Sequence, residues 1–296
     1  LLTFSGMDNS LIASSRSWKR HCCPNRCGLN GTYWGGGAAV RSIRPSHLIF
    51  LMIKGIFNLT LRTTQGLLDS LFELMNVPLC APDYSCVSKR ARTVTVAYRQ
   101  PPTGGITDLV IDSTGLKVFG EGEWKVRKHG AEKRRVWRKL HLAVDPVTHD
   151  IVAAEVSLEN VHDAEVLPTL LNPLRRKLGR VYADGAYDSK ASHQLISRKG
   201  ATACIPPRKN AGLWKKGHPR NEAVLVMRKE GLAHWKKISG YHRRSLAETA
   251  MYRFKQLLAG KISLRNYNGQ VGEVMAYVSA INKLNTLGLP VRKPRV

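Results

Sequence analysis

From His47 onward apolar residues recur at helical spacing, with Leu48, Leu51, Met52 and Ile56 in one run and Leu67, Leu68, Leu71, Phe72 and Leu74 in the next. Thr63 and Thr64 stand where capping residues open the second run. Pro82 and Asp83 then introduce a short helix through Tyr84 and Val87 that carries Lys89, Arg90 and Arg92, completing a small all-α, helix-turn-helix-like unit. Pro101, Pro102, Gly104 and Gly105 form a breaker cluster, and the period changes beyond it. Thr107 to Ser113 reads as a strand, and Lys139 to Asp145 and Ile151 to Val156 as a hairpin. After a helix from Val166 to Leu178 come a strand over Val181 to Asp184, a helix over Lys190 to Lys199 and a strand over Ala201 to Ile205. A long helix over Tyr241 to Leu258 and a closing one over Gly269 to Leu287 end the chain, the latter assigned to the core. Alternating strands and helices predict an α/β domain over 101–296, with a short basic insertion at 206–240 and the helical unit before it at 47–100. Residues 1–46 show neither period.

Composition narrows the partners. Of 296 residues 43% are hydrophobic, enough for a core, and 47 Lys plus Arg against 21 Asp plus Glu give a formal charge of +26. A polyanion is implied, and nucleic acid is the natural one. The longest wholly apolar run, Leu48 to Ile53, is far short of the roughly 20 residues that span a bilayer, and no secretory pattern opens the chain, so a cytosolic protein without membrane partners is expected. Cys22, Cys23 and Cys27 beside His21 lack the second half of a zinc motif; with Cys80, Cys86 and Cys204 they read as reduced thiols.

Two aspartates stand at predicted strand ends, Asp112 in Val110-Ile111-Asp112-Ser113-Thr114 and Asp184 in Tyr182-Ala183-Asp184-Gly185. Ligands gather at strand ends in such sheets, although an aspartate there also serves as a turn former or cap. On the long helix Tyr241, Arg244, Glu248 and Lys255 fall at roughly 0°, −60°, −20° and −40° of helical rotation, one narrow polar stripe. Leu246, Ala250, Met251, Phe254, Leu257 and Leu258 make a separate apolar face. Such a stripe can aim Glu248 at the aspartates, or stand in solvent with an ordinary Arg244–Glu248 pair.

The spacing Tyr241-(x2)-Arg244-(x3)-Glu248-(x6)-Lys255 resembles the YREK signature of bacterial insertion-sequence DDE transposases. Asp112-Ser113-Thr114-Gly115-Leu116-Lys117, Ala183-Asp184-Gly185-Ala186-Tyr187-Asp188 and Pro206-Pro207-Arg208-Lys209-Asn210 are similar to the same family, in the same order. The resemblance runs from about residue 52 to the carboxyl end. Leu2 to Ser14 faintly resembles the family's opening, whereas residues 16 to about 50 do not, as a frameshifted or decayed copy would read.

What the resemblance implies is an RNase H-like mixed sheet flanked by helices, with Asp112, Asp184 and Glu248 as catalytic residues holding two Mg²⁺ ions, or Mn²⁺. It implies cleavage and strand transfer at the terminal repeats of an insertion sequence, double-stranded DNA as partner, a homodimer on DNA, and a nucleoid-associated place in a bacterial cytoplasm. Tyr241, Arg244 and Lys255 become DNA contacts, as do the basic Lys125, Arg127, Lys128, Arg134, Arg135 and Arg138, which follow the strand of Asp112, and Lys89 and Arg90 in the helical unit. Lys133 and Lys139 share that run, and Trp214 and Trp235 in the insertion could stack on a base or simply pack. Two alternatives stand beside this reading: a catalytically silent DNA-binding remnant, and an RNase H-like nuclease without the transfer step.

Overall fold

The computed structural model describes residues 45–93, 96, 108–118, 136–175, 177–208, 210–257 and 261–287. Residues 1–44, the breaker cluster at 101–105, Lys125, Arg127, Lys128, Lys133, Arg134 and Arg135 lie outside the described residues. In chain order the elements are α1 (Pro45–Ile56), α2 (Leu61–Leu74), α3 (Tyr84–Arg90), β1 (Asp108–Val118), β2 (Trp137–Val144), β3 (Ile151–Leu158) and α4 (Asp163–Leu171). They continue with β4 (Arg180–Tyr182), α5 (Lys190–Arg198), β5 (Thr202–Cys204), α6 (Arg220–Ser239), α7 (Ser245–Leu257), β6 (Lys261–Ile262) and α8 (Tyr267–Thr286). The described residues fall into two compact units, one made of those within 1–96 and 264–277, the other of those within 97–263 and 278–296.

In the first unit α1, α2 and α3 close around Phe50, Leu51, Leu68, Val87 and Ala91, joined by Leu264 and Ala276. The cap of α2 is Thr60, whose hydroxyl accepts from the Thr63 amide at 3.2 Å, so the helix begins earlier than Thr63 and Thr64 suggested. Asp83 caps α3 as expected, accepting from the amides of Ser85 and Cys86. A buried ion pair crosses this core: Lys54 Nζ donates to Glu273 Oε1 at 2.5 Å and to the Tyr277 hydroxyl at 3.0 Å. Glu273 also accepts from the Leu264 amide at 2.9 Å, so each of its oxygens has a donor and the charge is tolerable inside. The first half of α8 thus packs with the helical unit, although the sequence division near residue 101 placed the whole helix in the sheet domain.

The second unit is built on one sheet of order β3-β2-β1-β4-β5, with β6 added to the far end of β1. β1, β2 and β3 are antiparallel neighbours, and β4 and β5 run parallel to β1. Leu109 and Ile111 of β1 turn toward α4 and α5, meeting Val166, Leu167, Leu170, Tyr187 and Ile196. The alternate residue Val110 faces the other way, where it meets Tyr182, Cys204 and Ala247 of α7. This is the expected RNase H-like mixed sheet with helices on both faces. Asn282, in the second half of α8, brackets Ile151 by accepting from its amide at 2.8 Å and donating to its carbonyl at 2.9 Å, which pins the helix to β3.

β1, α4 and the insertion also differ from the sequence expectation. β1 does not end at Ser113 but runs to Val118, because pairing with β2 is unbroken from Val110 to Lys117. α4 stops at Leu171 rather than Leu178, since Pro173 has no amide to continue the ladder. The insertion contains a helix, α6, bent at Gly231, where φ is 85°.

Glycine tests this packing in both directions. A Cβ at Gly272 of α8 would lie 2.4 Å from the Ala91 carbonyl oxygen, whereas one at Gly66 of α2 would meet nothing within 4 Å. Gly66→Ala is expected to stabilise the protein by about 0.5–1 kcal/mol. Gly272→Ala should destabilise it by about 1–3 kcal/mol, both read from chemical unfolding curves.

Candidate active site

The parallel register of β1 and β4 sets Val110 beside Tyr182. Two residues further along each chain stand Asp112 and Asp184, so the two carboxylates are level where β4 leaves the sheet. Asp112 sits mid-strand rather than at a strand end. Its Oδ1 accepts from the Ser113 amide at 2.9 Å. Asp184 caps the single 3₁₀ turn Gly185–Tyr187, accepting from the Ala186 amide at 3.0 Å. Gly185 fits there because the Pro206 carbonyl oxygen lies 3.3 Å from where its Cβ would be.

α7 delivers the third carboxylate. Its buried face is Ala247, Ala250, Met251 and Phe254, and the small Ala247 lets the helix settle onto Val110 and Tyr182, the residues two before each aspartate. Glu248 follows on the rim. The expected continuous helix from Tyr241 is instead a 3₁₀ turn over Tyr241–Arg244 leading into α7, entered through Gly240 at φ 67°. The tighter turn removes Tyr241 from the helical stripe and buries it against Trp235, with ring centroids 5.5 Å apart. Arg244 and Glu248 remain one helical turn apart.

Arg244 ties the cluster together, donating from Nη1 to Glu248 Oε1 at 2.6 Å and from Nη2 to Asp112 Oδ2 at 3.3 Å. Burial works against its charge, yet Asp112, Tyr241, Glu248 and Asp184 outweigh that and raise its pKa. Burial raises the Asp112 pKa, which the Arg244 charge partly offsets and the Asp184 charge adds to. Burial, with the neighbouring carboxylates, pushes the Tyr241 phenol up to about 12, so it stays a proton donor at neutral pH. Hard carboxylate oxygens of this kind suit a divalent cation. Among the described residues no three ligating side chains already stand as a cage, and the Arg244 guanidinium bonds both Asp112 and Glu248.

Other expected site residues are spread more widely. Arg138 pairs with Leu116 in the register, on the Asp112 face of the sheet. Lys255 is exposed in the last turn of α7, roughly 10 Å along the axis from Glu248. Lys89 and Arg90 are exposed at the end of α3, in the first unit. Trp214 and Trp235 both pack: Arg220 lies 4.0 Å over the Trp214 ring, whose edges meet His193 and His218.

Two polar clusters were not anticipated. Buried Asp188 is gripped by Arg220, Nε to Oδ1 at 2.7 Å and Nη2 to Oδ2 at 2.6 Å, and touches His193 at 3.2 Å. Burial opposes its charge, but these partners hold the carboxyl well below the usual range. It lies four residues beyond Asp184 and anchors α6 to the loop that carries that aspartate. The start and stop signals of α6 were legible, with Pro219 and Glu222 at one end and Lys236, Lys237 and Gly240 at the other. The second cluster lies behind Asp112 on the opposite face: Asp163, in the first turn of α4, accepts from the Ser113 hydroxyl at 3.2 Å and pairs with Lys139 at 2.8 Å. His141 Nδ1 approaches Asp163 at 3.8 Å while Nε2 meets the Ser157 hydroxyl at 2.8 Å. Lys139 is therefore committed to a fold contact.

Residues 103–283 match the family described as Transposase DDE domain, and residues 16–121 match a second family of the same description. The first match contains Asp112, Asp184 and Glu248, and the second reaches Asp112. The second also extends the family likeness across residues 16 to about 50, correcting the expectation that this stretch has none. No helix among the described residues is long and apolar enough to cross a membrane.

Burial lowers the His141 pKa from 6.5 to about 4. The folded state therefore keeps this ring neutral, and the stability it gives above pH 6.5 is lost as pH falls toward 4, because only the unfolded chain takes up the proton. His141→Gln should shrink the difference in unfolding free energy between pH 7 and pH 4.5 by about 2 kcal/mol, measured by urea titration.

Proposed function

The chain belongs to the DDE transposase family, and on that premise we propose that it binds the terminal repeats of an insertion sequence, cuts DNA at the element boundary and transfers the ends to target DNA. DDE transposases are DNA-cleaving and strand-transferring enzymes, they act on DNA, and they generally use divalent metal ions. The observation that carries the finer reading is Asp112 and Asp184 two residues beyond the paired Val110 and Tyr182, with Glu248 joined to Asp112 through Arg244.

Asp112, Asp184 and Glu248 are the residues that would hold Mg²⁺, with Mn²⁺ as a substitute. A divalent ion bound there would supply neutralisation of charge on the attacking and leaving oxygens of an in-line displacement at phosphorus. Water attacks first, breaking the P–O3′ bond at the element end and freeing a 3′-hydroxyl. That hydroxyl then attacks a target phosphodiester, forming one P–O bond as another breaks. The side chains around the acids hold the substrate: Arg244 and Lys255 offer cationic donors to phosphate oxygens, and the Tyr241 phenol offers a neutral one. Arg138, on the Asp112 face of β2, extends this phosphate contact along the sheet, with Lys125, Arg127, Lys128, Arg134 and Arg135 from the neighbouring basic segment. Lys89 and Arg90 of α3 contact DNA from the helical unit. Two element ends must be held together for transfer, so the working form is a homodimer on DNA, in the nucleoid of a bacterial cell.

Substituting an amide for a carboxylate keeps shape and removes charge. In a Mg²⁺ assay on duplex DNA carrying the element ends, Asp184→Asn and Glu248→Gln are each expected to retain binding in gel shift and to lose cleavage by at least about a hundredfold. Cleavage at the parent rate by either variant would sink this assignment.

A further inference from the structure

Arg244 occupies the position between two carboxylates that a metal must share. Its Nη1 and Nη2 take Glu248 Oε1 at 2.6 Å and Asp112 Oδ2 at 3.3 Å, while its Nε is buried with no hydrogen-bond partner. The side chain is 22% exposed, so this is a seated cation rather than a surface arm, and the Glu248 side chain, 56% exposed, is free to turn. We infer that Arg244 is a resident placeholder cation, which neutralises Asp112 and Glu248 before metal loading and releases them when its guanidinium is drawn to a DNA phosphate. This rests on the reading of Asp112, Asp184 and Glu248 as the metal-holding set.

The physical case is one of competing partners. A guanidinium and a divalent cation seek the same oxygen lone pairs, and Arg244 already claims one oxygen from each acid. A phosphate presents the same bidentate geometry as a carboxylate, so the guanidinium can exchange one for the other, and its orphaned Nε gains an acceptor in doing so. Metal affinity and DNA contact are then linked, and the linkage is reciprocal. Before DNA arrives, the level aspartates and Glu248 have a counter-charge without holding a reactive metal. Arg243, the preceding residue, is a control supplied by the fold. It carries the same charge but pairs with Asp108 at the start of β1.

The test is Mn²⁺ binding to the full chain without DNA, read as the free aqueous Mn²⁺ signal in electron paramagnetic resonance. Arg244→Gln is expected to bind Mn²⁺ about tenfold more tightly than the parent, Arg244→Lys to fall between, since one ammonium cannot bridge both acids, and Arg243→Gln to change affinity less than twofold. Adding Asp184→Asn to Arg244→Gln should abolish the gain. Equal affinity in parent and Arg244→Gln, with Asp184→Asn still weakening binding, overturns the placeholder and leaves the metal-holding set standing. So does equal tightening by Arg243→Gln, which would make the effect one of net charge. If Asp184→Asn alters Mn²⁺ binding in neither background, the metal-holding set itself is wrong. Thermal unfolding of each variant in the absence of Mn²⁺ confirms that the comparison is among folded chains.

Discussion

Two carboxylates held level and close repel each other, and the architecture of the sheet domain answers that constraint. Parallel pairing of β1 with β4 sets Val110 beside Tyr182, and Asp112 and Asp184 follow two residues beyond that pair, close enough for the Asp184 charge to raise the Asp112 pKa. The cost must be met by positive charge. Arg244 supplies it in the protein alone, and the chain's large excess of lysine and arginine makes the surroundings receptive to a polyanion. The same repulsion makes the cluster useful, because a site that must have a cation is a site that can bind a metal.

Around that constraint the helices act as fixtures. Ala247 brings α7 down onto Val110 and Tyr182, so the helix that carries Glu248 is located by the same residues that locate the aspartates. Behind the sheet, Asp163 holds the Ser113 hydroxyl while the Ser113 amide holds Asp112, a short relay from the first turn of α4 to the acid. Beyond Asp184, the Asp188–Arg220 pair fastens α6 to the same loop. The second is an ion pair withdrawn from water, where geometry has to be good for charge to be tolerated. The value of both is in fixing where neighbouring backbone lies.

The sequence was most legible where buried apolar residues run together in a strand or line one face of a helix. β2, β3 and α5 read correctly because a strand between two layers, or a helix with one face inward, must carry its apolar residues at the matching period. The acids came from motif spacing, since a lone aspartate at a strand end is more often a turn former. α6 was missed because Leu225, Leu232 and Ile238 are exposed, which leaves no inward stripe for periodicity to find; only its end signals marked it. The 3₁₀ turn before α7 was hidden for a different reason: helical spacing and a tighter turn place Arg244 and Glu248 alike, and only Tyr241 reveals the change. The role of Lys54 could not be read at all, because its partners Glu273 and Tyr277 lie more than two hundred residues away.

The claim that Asp112, Asp184 and Glu248 together hold one metal centre is tested most directly by putting a reactive metal there and seeing which backbone it cuts. Fe²⁺ in place of Mg²⁺, with hydrogen peroxide, ascorbate to recycle the iron and the DNA-bound chain, generates hydroxyl radicals within a few ångströms of the ion. Polypeptide scission clustered at residues near 112, 184 and 248, competed away by excess Mg²⁺ and lost in Asp184→Asn, is the predicted result. Scission at one acid alone, or a pattern indifferent to Asp184→Asn, would contradict it.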